Sequence, residues 1–162
     1  MKTAKAIAQA ARLEDGGWML TLPLAWIPSS NRTTREHWSA RQRRVSSQTT
    51  DLLWLLHECG ATRGHSRKQS FSAGDRIVEF EGKTVFERAS LRLIMYFAAH
   101  RRRDPGNWGQ GAGAKSCIDS LVRSGWLMDD DSDHLRCEEP VLRVDPVYPR
   151  AVVELRVWDG NR

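Results

Sequence analysis

The sequence predicts a single α+β domain, a mixed β-sheet with two main helices packed on it. Three observations carry this. Short apolar runs and longer segments of helical period follow one another as strand, helix, strand, helix, strand, strand. Clusters of Gly, Pro, Asn, Asp and Ser separate them. A chain of 162 residues is long enough to bury one core and too short for two independent ones.

Residues 1–15 read as a loose or short helical leader that stops at Asp15-Gly16-Gly17, leaving 16–162 as the folded domain. Trp18 to Leu24 (Trp-Met-Leu-Thr-Leu-Pro-Leu) predicts a first strand, which Pro23 and the loop Pro28-Ser29-Ser30-Asn31 end. A helix is expected next. Thr33 or Thr34 serves as its cap and Glu36 lies in its first turn. Trp38, Val45, Leu52, Leu53, Leu56 and Cys59 form its inner face, and Gly60 stops it. Its outer face carries Arg35, Arg41, Arg43 and Arg44.

Residues 61–76 are polar and read as a mobile segment, with a small strand or hairpin over 77–86, so that 61–86 together resemble a variable insertion. Ser90 to Phe97 is apolar enough for a central strand and runs straight into His100-Arg101-Arg102-Arg103-Asp104-Pro105. After a Gly-rich loop over 106–113, Ala114 to Ser124 predicts a helix with Cys117, Ile118, Leu121 and Val122 inward and Gly125 as its C-terminal stop. Two strands, His134 to Val144 and Ala151 to Trp158, complete the domain.

Twenty-five Lys and Arg outweigh 20 Asp and Glu, a net charge of +5. The excess gathers at Arg41–Arg44, Arg63–Lys68 and His100–Arg103, which points to an anionic partner, most commonly nucleic acid. Cys59, Cys117 and Cys137 are widely spaced and contain no C-x-x-C pair, which argues against a disulfide framework and a zinc ribbon and for reduced thiols in the cytoplasm. His57, His65 and Asp133-His134 have no zinc-ligand spacing. No run approaches the roughly 20 apolar residues of a membrane span.

Three clusters offer chemistry. In Arg101-Arg102-Arg103-Asp104-Pro105-Gly106-Asn107 a carboxylate follows three arginines, a pairing suited to holding Mg2+ while the arginines grip phosphates. Lys115 and Asp119 stand four apart on one helical face, where a lysine near a helix start can neutralise phosphate charge. In Asp129-Asp130-Asp131-Ser132-Asp133 four carboxylates crowd five positions and repel unless a cation or basic groups offset them. A near match to a P-loop, Gly109-Gln110-Gly111-Ala112-Gly113-Ala114-Lys115-Ser116, carries Ala114 where the last Gly belongs and lacks a buried strand leading into it.

Taken in order, Arg103-Asp104-Pro105-Gly106-Asn107, Lys115 with Asp119 and Leu121, and Gly125 before Asp129-Asp130 resemble the RusA-like Holliday junction resolvases. Leu20-Thr21-Leu22-Pro23 with Pro28-Ser29-Ser30-Asn31-Arg32 looks like that family's first strand and loop, and Glu139-Pro140-Val141 to Val157 like its closing strands. The resemblance implies a homodimer that binds four-way DNA junctions and nicks them with Mg2+, for which Mn2+ can substitute. It implies Asp104 and Asp130 as metal ligands, Asp129 as a further ligand or supporting acid, Asp119 and Asn107 as supporting residues, and Lys115 as a phosphate or transition-state contact. Asn31, Arg32, Arg35, Arg41, Arg43, Arg44 and Arg101 to Arg103 are the candidate DNA-binding residues.

The chain departs from the pattern at three places. Gly106 stands where the family has a second aspartate, Trp108 replaces an aliphatic residue, and the loop to Lys115 is longer. With one carboxylate missing, either Asp131 or Asp133 substitutes or metal binding and cleavage weaken while DNA binding persists. Two other readings therefore accompany the endonuclease: a relative that binds branched DNA without efficient cleavage, and a P-loop nucleotide-binding protein.

Overall fold

The structure is a computed structural model and describes residues 8–33, 35–61, 66–73, 76–109 and 112–160. The chain forms an α+β domain whose main sheet has six strands, β1 (Gln9–Arg12), β2 (Trp18–Leu22), β5 (Ala89–Phe97), β6 (Leu135–Cys137), β7 (Val141–Val144) and β8 (Arg150–Val157). A separate ribbon pairs β3 (Ser66–Ala73) with β4 (Arg76–Lys83). Two short helices, α1 (Ser30–Thr33) and α3 (Gly106–Gly109), accompany two long ones, α2 (Trp38–Cys59) and α4 (Ala112–Ser124).

The sheet runs β1-β2-β8-β5, antiparallel throughout, and β6 and β7 then follow one another along the far edge of β5, parallel to it. Alternation builds the core. Leu20 opposes Val153, which opposes Leu93; Leu22 opposes Ala151, which opposes Met95. These residues, all under 5% exposed, share one face and pack with Leu52, Leu55 and Leu56 of α2 and Cys117 and Leu121 of α4.

Beyond α4, Trp126 is fully buried, lies edge-on to Trp18 at 5.6 Å and donates its Nε1–H to the Leu52 carbonyl at 3.0 Å. Trp126→Phe is expected to cost about 1–3 kcal/mol, through lost volume and a lost hydrogen bond. Urea denaturation reads this directly, and an unchanged midpoint would contradict it.

The structure departs from the sequence reading in several places. Gln9–Arg12, read as leader, is an edge strand that forms a hairpin with β2 through a turn closed by Leu13 N–H to Gly17 O at 2.8 Å. Gln-Ala-Ala-Arg has too little apolar alternation to announce itself. Residues 1–7 lie outside the described residues.

The long helix begins at Trp38 rather than at the threonines. His37 caps it, its Nδ1 accepting from Ser39 N–H at 3.3 Å. Thr33 belongs to α1, its hydroxyl turned to the Ser29 carbonyl, and Thr34 lies outside the described residues. Trp38 is 69% exposed instead of inward. It occupies the helix's first position, well ahead of Val45, the first residue of α2 to reach the core.

The predicted strand over 134–144 is two strands. Four steps from Cys137 to Val141 oppose three from Leu91 to Ile94, so one extra residue interrupts the ladder over 138–140, where Pro140 has no N–H to donate. The ribbon also starts earlier than the hairpin expected over 77–86. Its ladder is internal, so it needs no apolar period, and the mobile segment expected over 61–76 falls partly on 62–65 and 74–75, outside the described residues.

Candidate active site

The N-terminal turns of α4 are the scaffold. Gly113 is buried there against the Pro28 backbone, and a Cβ would collide with the Pro28 carbonyl oxygen, so glycine is what lets the helix dock. Two positions on, Lys115 emerges with its side chain half exposed. Its ammonium pairs with Asp119 Oδ1 at 2.9 Å, one turn further, and with Asp130 Oδ2.

Asp130 arrives by a turn. Gly125, at φ +88°, ends α4, with Gly125 N–H bonded to Val122 O at 3.2 Å and Trp126 N–H to Leu121 O at 2.9 Å. The chain then runs beside Val85 and Phe86, held by Val85 N–H to Gly125 O at 2.9 Å and Met128 N–H to Phe86 O at 3.0 Å. That course returns Asp129 and Asp130 toward Lys115. Asp130 N–H also donates to Asp129 Oδ1 at 2.7 Å, linking the two acids.

Asp131 does other work. Its Oδ1 accepts from the backbone N–H groups of Asp133 and His134, at 2.9 and 3.0 Å, and lies 2.7 Å from His134 Nδ1. The His134 bond, foremost, holds its carboxyl below the usual carboxylate range. Asp131 therefore fastens the turn that presents Asp129 and Asp130. Asp133 is exposed.

Asp104 occupies the exit of β5. It is exposed, its Oδ1 accepts Gly106 N–H at 3.0 Å and its carbonyl accepts Asn107 N–H at 3.1 Å, so it opens α3 as a local cap. Gly106 contributes no carboxylate. Among the described residues, no three His, Cys, Asp or Glu side chains converge into a group that would hold a metal, so Asp104 does not close with Asp129 and Asp130 into one. Lys115, Asp119 and Asp130 are brought together, with Asp129 attached.

The donors nonetheless suit a hard cation. They are carboxylate oxygens, Asp104 and Asp129 are exposed, and Mg2+ takes one or two carboxylates and fills its shell with water and phosphate oxygens.

The arginines differ in availability. Arg101, Arg102, Arg41, Arg43, Arg32 and Arg35 are exposed, as is Asn31; Arg35 stands between α1 and α2 instead of on the long helix. Arg103 folds back over the Phe97 ring at 3.9 Å and donates to the Ala99 and Arg101 carbonyls. Arg44 is engaged internally, its guanidinium fork on Glu36 at 2.6 and 3.2 Å, an ion pair that clamps the approach to α2.

That bond holds the Glu36 carboxyl below its ordinary 4.5. The sign follows: its contribution to stability is full above that value and is lost as pH falls through the lower folded value. Glu36→Gln should therefore flatten part of the acid-side loss of stability. Urea midpoints between about pH 3 and 7 measure it, and parallel curves for both proteins would refute it.

The P-loop resemblance finds no such support. In a P-loop the strand feeds the loop directly, whereas here α3 lies between β5 and α4. Ser116 is fully buried and Lys115 is held by two carboxylates. No protein-family model matches the chain, and no curated protein matches it.

Proposed function

We propose that this protein is a metal-dependent DNA endonuclease that binds branched DNA, such as four-way junctions, as a homodimer and nicks it in the cytoplasm of a bacterial or phage-infected cell. The observation that carries this reading is the closure of Lys115 on both Asp119 and Asp130, fifteen positions away, beside the linked Asp129. These are the residue types at the offsets that the RusA-like resemblance requires.

Asp104 and Asp130, with Asp129, would hold Mg2+ or Mn2+. When bound, the ion supplies an activated water and offsets charge on the scissile phosphate. Lys115 would be drawn from its carboxylates toward the phosphate, with Asp119 orienting it. Arg101 and Arg102 at the β5 exit and Arg41 and Arg43 on α2 would hold the backbone.

The test is nicking of a labelled four-way junction with Mg2+, Mn2+ or EDTA. Ion-dependent nicks support the reading, and a protein that neither binds nor cuts the junction ends it. Binding should also weaken with salt, the log of affinity falling by about 0.9 per neutralised phosphate for each decade. A flat salt response in a filter-binding series would exclude a DNA partner.

One observation favours a second reading, a relative that binds branched DNA without efficient cleavage. Gly106 offers no carboxylate, and among the described residues no three acids converge. Tight junction binding without nicks at any ion concentration would select it.

A further inference from the structure

Two concavities adjoin at the foot of α1. One is a largely apolar groove whose walls include Leu24, Pro28, Phe97, Trp108 and Pro149, with about 1280 Å³ of open space. The other, of about 1090 Å³, is lined by Ser29, Asn31, Arg32 and Arg35. Ser29 and Arg32 belong to both. An apolar slot is thus continuous with an arginine-lined one, across a single shared wall.

This pairing has the chemistry of one nucleotide. We propose that the apolar groove takes an unpaired nucleobase of the DNA, against Trp108, while Arg32 and Arg35 hold the adjoining phosphate. The inference rests on the endonuclease reading and adds to it how an unstacked base beside a branch point is recognised.

Three features support it. Trp108 is half-buried and braced edge-on against Phe97 at 5.2 Å, so the ring is held in place before any ligand arrives. It also lies in α3, the helix that Asp104 opens, so a base lodged there sits on the same element that carries the candidate metal ligand. The exposed cations at the rim, Arg32 and Arg35, complement a polyanion and give an apolar peptide nothing to pair with. Base–aromatic stacking tolerates any sequence, because every base has a π-face, and arginines following the backbone supply the rest.

The test measures binding alone, in EDTA, by fluorescence anisotropy of two labelled strands of equal length and charge. One is a deoxyhexanucleotide and the other its abasic counterpart, with a four-way junction as the reference ligand. The abasic strand should bind about 10-fold more weakly. Trp108→Leu should bring the base-bearing strand down to the abasic level and leave the abasic strand unchanged.

Because Trp108 also packs on the core, Arg32→Gln provides the second variant. It should weaken both strands alike and lower the salt slope by about one phosphate. Equal affinity for the two strands would overturn the base site and leave the DNA partner standing. So would a preference for the base-bearing strand that neither variant alters. Failure to bind either strand or the junction would overturn both this inference and the reading beneath it.

Discussion

Asp130→Asn is expected to lower junction nicking by about 100-fold or more, the scale of losing a group that holds a catalytic ion or charge. Junction affinity should stay level or rise, because the change removes a negative charge beside a phosphate. Folding should hardly respond. The Asp130 side chain is 30% exposed and that of Lys115 50%, and an ion pair so open to water contributes at most about 1 kcal/mol. Lys115 also retains Asp119 at 2.9 Å, so no cation is left unpaired. Steady-state nicking, junction anisotropy and a thermal melt on one preparation separate these effects. Nicking that falls only in step with binding would remove Asp130 from the chemistry.

Gly106→Asp is expected to act in the opposite direction, raising nicking by about 10- to 100-fold at limiting Mg2+. The backbone permits it, since Gly106 is not among the glycines with positive φ. A Cβ there would lie 3.3 Å from Asp104 Oδ1, the oxygen that accepts Gly106 N–H, so the Asp104 carboxylate must give by a few tenths of an ångström. The new carboxylate would then flank Asp104, giving the ion two oxygens from one short segment. Half-maximal Mg2+ should fall together with the gain in rate. If neither moves, the missing aspartate is not what limits this protein.

The sequence and the structure agree where apolar residues recur along a buried strand or helix, and part at sheet edges, helix starts and turns, where Ala10, Trp38 and His37 carry no such pattern. Beta5 and α4 are legible because Leu91 to Phe97 and Cys117 to Val122 repeat with the period their burial requires, and β8 because Val152, Val153 and Leu155 form a buried apolar run, although Val157 at its end is exposed. Beta1 was not, because Ala10 and Ala11 give no alternation at a sheet edge. The start of α2 was misplaced because Thr33 and Thr34 have the chemistry of caps, whereas His37 makes the bond.

The site divides in the same way. Lys115 with Asp119 follows from helical spacing, but Lys115 with Asp130 needs the turn at Gly125 and the path beside Phe86. Asp131, considered as a replacement ligand, proves to be held by His134, three residues on; that spacing was the available signal. Arg44 sits among basic neighbours as though facing a polyanion, and only the fold reveals Glu36 on its guanidinium.

A Mg2+ titration of wild-type protein on a labelled four-way junction, with products resolved strand by strand and EDTA as the zero point, tests the endonuclease activity itself. Paired nicks on opposing strands should appear only with Mg2+ or Mn2+ and saturate with the ion. An intact junction at every ion concentration, under conditions where the protein is shown to bind it, would contradict the endonuclease.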